Sequence, residues 1–183
     1  VLLASWFGLR RGEIIGLRWQ DIDFTNKILY INGTVKDKGM SGSKIKNLYY
    51  EPTAKTSSSI RSFPMSDSAV KYLSELKTKQ EKRKQKNKLY IHTWDDFVCV
   101  RPDGSLLPLE YVSRAIPKLC EKAGLKRIKL HELRHTNISI LLESGASMKE
   151  LQEWAGHSSY STTANIYSHI QAVSYTHLTL PTN

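Results

Sequence analysis

Residues 131–157 read HELRHTNISILLESGASMKELQEWAGH. His131–Ser144 and Ser147–Ala155 read as short helices, and Ser159–Tyr167 predicts a third. Gly124, Gly145 and Gly156 separate them, as suits a residue that closes helices in the left-handed conformation. His131 and Arg134 stand three residues apart on the first of these helices. That spacing puts both on one face, where they can meet a single phosphate.

Working outward, Val1–Phe7 reads as the end of a buried helix, and Arg10–Trp19 carries Ile14, Ile15 and Leu17 in a short helix that Gly16 weakens. Lys27–Val35 (KILYINGTV) is rich in β-formers and predicts a strand, followed by a loop over Asp37–Lys46. Leu48–Glu51 and Ile60–Met65 predict a hairpin with Thr53–Ser59 as its turn. Ser66 is a good N-cap for a helix bearing Val70, Leu73 and Leu76. Lys77–Lys88 continues it with seven Lys or Arg against one Glu. That stretch reads as a solvated helix end, with phosphate contact as the sharper alternative. Arg101–Ser105 is a turn and Pro108–Ala123 another helix. The expected fold is α+β, mainly α-helical with a small three-stranded antiparallel sheet, and there are no internal repeats.

Composition narrows the partner. The 183 residues hold 27 Lys and Arg against 17 Asp and Glu, a net charge of +10. Such an excess favours a polyanion through counterion release, so nucleic acid leads. No apolar run approaches a membrane span, and no signal peptide opens the chain. Cys99 and Cys120 match no metal-ligand spacing and are expected to be buried thiols in a reducing, cytoplasmic setting.

Four segments carry chemistry: Gly8-Leu9-Arg10-Arg11-Gly12-Glu13, Lys55-Thr56 followed by Ser59 and Arg61, His131-Glu132-Leu133-Arg134-His135-Thr136, and Gly156-His157 with Tyr167-Ser168-His169 after it. In this order the chain resembles the tyrosine recombinase, or phage integrase, family over residues 1–172. That family's pattern is an Arg in Gly-x-Arg-x-x-Glu, a hairpin Lys, His-x-x-Arg, Gly-His, and a Tyr about ten residues on. Each motif is common by itself, and the ordered set is specific. One departure is Phe7, where the family commonly has a small polar residue.

The chemistry suits the residues. Transfer of a phosphodiester to tyrosine loads negative charge on the nonbridging oxygens, which Arg10 and Arg134 can clamp. His157 can add a hydrogen bond. Tyr, with pKa ~10, is a poor nucleophile at neutral pH, and a neutral His131 could accept its proton. The resemblance implies Tyr167 as the nucleophile, Lys55 as general acid for the departing 5′ oxygen, and Glu13 as a brace for Arg10. It also implies a 3′-phosphotyrosyl intermediate formed with no metal or other cofactor, on double-stranded DNA attachment sites, by a tetramer of full-length protomers in a bacterial or phage host cell. Taken singly, Arg10 and Arg134 fit surface salt bridges better than catalysis, Glu13 fits an ordinary helix-surface carboxylate equally well, and His135 and His169 fit packing or capping.

Two other readings compete: a type IB topoisomerase-like enzyme, and a non-catalytic DNA-binding remnant. An acidic-lipid-binding module ranks last, for want of a basic helix with a strong apolar face. Residues 1–172 are expected to be an N-terminally truncated catalytic domain. Val173–Asn183 contains Ser-Tyr-Thr-His-Leu-Thr-Leu-Pro-Thr, which can be back-translated into a transposon-end sequencing adapter, and is expected to lie outside the fold.

Overall fold

The computed structural model describes residues 1–38, 48–53 and 61–157. Two short helices open it, α1 (Leu2–Phe7) and α2 (Arg11–Gly16), followed by a 3₁₀ turn at Trp19–Asp21. Gly12 and Gly16 explain how α2 lies against the chain that follows. A Cβ on Gly12 would stand 2.3 Å from Thr34 Oγ1, and one on Gly16 would stand 3.0 Å from the Thr34 Cα. The glycine that weakens the helix in sequence is the one that lets it approach a strand.

Among the described residues five short strands form two antiparallel sheets. β1 (Ile22–Asp23), β2 (Ile28–Ile31) and β5 (Arg61–Pro64) make a three-stranded sheet in the order β1-β2-β5, while β3 (Gly33–Asp37) pairs with β4 (Leu48–Pro52). The small three-stranded antiparallel sheet is present, but its pairing differs from the expectation. KILYINGTV is broken at Asn32, whose side-chain amide donates to Asp21 Oδ1 at 2.8 Å. Leu48–Pro52 therefore pairs with the second half of that run, in register from Gly33↔Pro52 to Asp37↔Leu48, and Arg61–Pro64 pairs with the first half, from Ile28↔Pro64 to Ile31↔Arg61. The Thr53 amide donates to the Asn32 carbonyl at 2.8 Å, between the two registers. The expected hairpin partners are thus consecutive occupants of one edge, not partners of each other.

Four longer helices complete the described chain: α3 (Asp67–Lys86), α4 (Leu109–Lys122), α5 (Leu130–Glu143) and α6 (Met148–Ala155). Ser66 caps α3, its hydroxyl accepting from the Ala69 amide. The basic half of α3 is less solvated than its sequence predicts. Gln80 is buried and donates to the Phe97 carbonyl at 3.0 Å, and Lys77 lies over the rings of Trp19 and Phe24. One core joins α1, α2, the sheets, α3 and α4, with Leu9, Ile15, Leu17, Leu29, Phe63 and Leu73 fully buried. Phe7 belongs to it, its ring 5.7 Å from that of Phe63, so its departure from the family pattern serves packing. Cys99 and Cys120 are both unbonded thiols, and burial pushes Cys99 up to about 11. Among the described residues no helix is long and apolar enough to cross a membrane.

Candidate active site

The last four carbonyls of any helix lack intrahelical donors and carry the negative end of its dipole. Here two such ends, those of α1 and α6, are met by arginines. Gly8 and Gly156 close the two helices in the left-handed conformation, each with φ of 59°. Arg134 on α5 donates from Nη1 to the Gly8 carbonyl and from Nη2 to the Ala155 carbonyl. It is 5% exposed. Two N–H groups are used in this way, and the guanidinium has five. One turn further along α5, Asn137 repeats the theme. Its Nδ2 donates to the Ser5 carbonyl at 2.9 Å, and its Oδ1 accepts from Trp154 Nε1 at 2.9 Å.

Arg10 approaches the same place from the N-terminus of α2. Its amide donates to Glu13 Oε2 at 2.7 Å and its Nη1 to Glu13 Oε1 at 2.9 Å, a carboxylate cap for the first turn. Its Nη2 donates to the Gly156 carbonyl at 2.5 Å. The Arg10 side chain remains 45% exposed. His157 follows directly, its amide donating to the Gln152 carbonyl at 3.1 Å.

His131 lies in the first turn of α5, exposed, with its ring 4.3 Å from that of His135. Arg10, His131, Arg134 and His157 line one groove, together with Arg11, Arg127 and Lys129. Four of the six expected site residues are therefore brought together. Glu13 accepts hydrogen bonds from Arg10 and from Arg61. Lys55 and Tyr167 lie outside the described residues, as do His169 and Val173–Asn183.

The electrostatics follow from burial first and from the neighbouring cations second. Burial pushes Arg134 down to about 10, and the charge of Arg10 acts in the same direction. Burial also pushes His157 down, to about 4, with Arg134 and Arg10 adding to it, so its imidazole is neutral at pH 7. Burial would raise Glu13, but Arg61 and Arg10 outweigh it and hold the carboxyl below its ordinary range. Among the described residues no group of three or more His, Cys, Asp or Glu side chains could hold a metal ion.

Three features escaped the sequence reading. Asn137 stands at the same-face spacing from Arg134, which was its available signal. Arg61 belongs to a quoted segment but had no role. The backbone carbonyls of Gly8, Ala155 and Gly156 have no sequence signal beyond the glycines.

The phage integrase family model matches residues 1–173. The chain belongs to the phage integrase family. Among its relatives, a tyrosine recombinase XerC-like protein of Caldanaerobacter subterraneus subsp. tengcongensis is 34% identical over 173 residues, covering 92% of this chain and 44% of that protein. The integrase of Staphylococcus phage L54a is 28% identical over 165 residues, 89% of this chain and 45% of the phage protein. The chain thus spans less than half the length of these family members. The fold is that of a Tn1549 transposon integrase solved with transposon right end DNA, with TM-score 0.72, 22% identity, and coverage of 98% of this chain and 57% of that one. The XerA recombinase crystal structure is similar, with TM-score 0.67, 22% identity and the same coverage.

Proposed function

We propose that the protein containing this chain is a site-specific DNA recombinase that cleaves and rejoins strands through a 3′-phosphotyrosyl intermediate on Tyr167. The observation that carries this reading is the groove where Arg10, His131, Arg134 and His157 converge. The four side chains Arg10, Arg61, Arg134 and Glu13 sum to a formal charge of +2, from three Arg and one Glu. That surplus suits a group that becomes more negative as it reacts.

In this reading Arg134 is the fixed clamp. Two backbone carbonyls hold its guanidinium plane, and its remaining N–H groups are available to nonbridging phosphate oxygens. Arg10, half exposed, supplies the second clamp. His157, being neutral, donates one ring N–H to the same phosphate without adding charge. His131 accepts the tyrosine proton, and Lys55 protonates the departing 5′ oxygen. No step calls for a metal. The full-length protein acts inside the host cell as a tetramer on paired duplex sites, as other recombinase protomers supply the second strand pair.

The test is a nicked duplex carrying the source element's own junction, whose cleavage releases a short fragment and prevents rejoining. A protein–DNA adduct should survive denaturing electrophoresis, persist in EDTA, and vanish in Tyr167→Phe while duplex binding is retained. An adduct in Tyr167→Phe would remove Tyr167 from its role. Loss of the adduct on chelation would overturn the metal-free mechanism, and no adduct from the parent protein would leave a non-catalytic DNA-binding remnant.

A further inference from the structure

Arg61, the first residue of β5, makes contacts out of proportion to its place in the proposed chemistry. Its side chain is 9% exposed, its Nη2 donates to Glu13 Oε1, and its Nη1 donates to the Trp154 carbonyl at 2.8 Å. The same Glu13 oxygen accepts from Arg10 Nη1 at 2.9 Å. Gly156 is moulded to Arg61 as well, since a Cβ there would stand 2.7 Å from Arg61 Nε. The Arg61 guanidinium lies 5.6 Å from the Phe63 ring centroid, and Phe63 packs edge-on against Trp154 at 4.7 Å. One side chain thus touches the carboxylate behind Arg10, the last turn of α6 and the turn that presents His157.

The geometry points to Arg61 as a positioning residue that holds Arg10 and the Gly156–His157 turn in their relative places. The physical argument is competition for one carboxylate. With Arg61 present, Glu13 divides its charge between two guanidiniums, so Arg10 is braced without being neutralised. With Arg61 neutral, Glu13 has one cation left and draws Arg10 into a closed ion pair. A buried carboxylate that loses a buried partner also seeks compensation from whatever charge remains. Removing the fork additionally frees the Trp154 carbonyl, and with it the α6 end from which His157 hangs. Arg61 does this from the strand that resumes pairing at Ile31↔Arg61, directly after the segment that contains Lys55.

This inference rests on the recombinase reading for its kinetic arm and stands apart from it for the other. Arg61→Gln and Arg61→Lys, in the full-length protein, are compared on the nicked duplex under single-turnover conditions at saturating DNA. Adduct formation should slow at least ~10-fold in Arg61→Gln and less in Arg61→Lys, which keeps a charge for Glu13 but not the fork. The duplex Kd should change by less than ~3-fold, because Arg61 does not line the groove where Arg10 and Arg134 converge and its fork is directed at Glu13 and the Trp154 carbonyl. The second arm needs no DNA. In ¹⁵N-arginine-labelled protein the Arg10 Nε–H resonance should shift in both variants, while that of exposed Arg114 stays in place. A folded Arg61→Gln with the parent's rate and an unmoved Arg10 resonance would overturn the proposal, as would a loss of DNA affinity equal to the loss of rate. Should Arg61→Gln fail to fold, Arg61→Lys decides in the same way. If the parent itself forms no adduct, the recombinase reading fails and the Arg10 resonance still decides the role of Arg61.

Discussion

Two arginine clusters in this molecule solve different problems. Around Arg18 carboxylates outnumber the cation: its Nε donates to Asp96 Oδ2 at 2.6 Å, its amide to Asp21 Oδ2 at 3.2 Å, and its guanidinium lies over the Tyr50 and Phe97 rings. Burial works against that charge, but Asp96 outweighs it and the pKa rises. Around Glu13 three guanidiniums crowd one carboxylate, and Arg134, pushed down first by burial and then by the charge of Arg10, sinks to about 10. A cluster that only holds the fold has no reason to keep a surplus of buried positive charge. The imbalance marks the place where an anion is expected, and perturbed groups concentrate at such places.

The largest effect should come from the most buried member. Arg134→Gln should slow adduct formation by ~10²-fold or more, as loss of a preorganised transition-state donor does. It should also cost stability, about 1–3 kcal/mol for each carbonyl left without its donor. Denaturant titration and single-turnover kinetics read the two separately. A full-speed Arg134→Gln would break the comparison, since the surplus would then be incidental.

Next is Gly156→Ala. Its φ of 59° and the 2.7 Å approach to Arg61 Nε both oppose a side chain. The conformational part alone is about 1 kcal/mol. The rate should fall together with the melting temperature, whereas a loss of stability alone would detach the turn from the chemistry. Arg18→Met should cost about 1–2 kcal/mol, from a partly exposed ion pair and its ring contacts. At a temperature where the protein stays folded it should leave adduct formation at the parent rate. A slowed Arg18→Met would place the Arg18 cluster in the same machinery.

The smallest effect is a pH slope. His157 has a pKa of about 4 in the folded chain against 6.5 as its ordinary value. Between those values the unfolded chain binds the proton that the folded chain refuses, so stability falls as pH is lowered through this window. Replacing His157 with Gln should flatten the fall in melting temperature from pH 6.5 towards 4. His135, pushed down first by burial and then by His131, contributes in the same direction and should leave a residual slope.

What the sequence disclosed was local. His131 and Arg134 share a helix turn, and Gly156-His157 is one dipeptide, so spacing alone placed them. Helix boundaries at Ser66, Gly145 and Gly156 were legible for the same reason. Strand pairing was not. Nothing in KILYINGTV announces that Asn32 divides it between two sheets, because the decision is made by Asp21 and by partners 11 to 19 residues away for one sheet and 30 to 36 for the other. Arg61 and Glu13 are 48 residues apart and Arg134 and Gly8 are 126 apart. A guanidinium aimed at a backbone carbonyl leaves no trace in residue type, so Arg134 reads as a ligand-binding residue while its role as a tie between two helices stays hidden.

The break between β4 and β5 has a consequence for how such chains can vary. Thr53 faces Asn32 and Arg61 faces Ile31, so the chain leaves the ladder and rejoins it one rung later. Adding or removing residues between those two anchors leaves every described rung in register. The closure entropy of a connection grows only slowly, by ~0.6 kcal/mol for each doubling of its length. The frame on either side of residues 54–60 is therefore set by Asn32 and Ile31, two neighbours on one strand edge, and not by anything between Thr53 and Arg61.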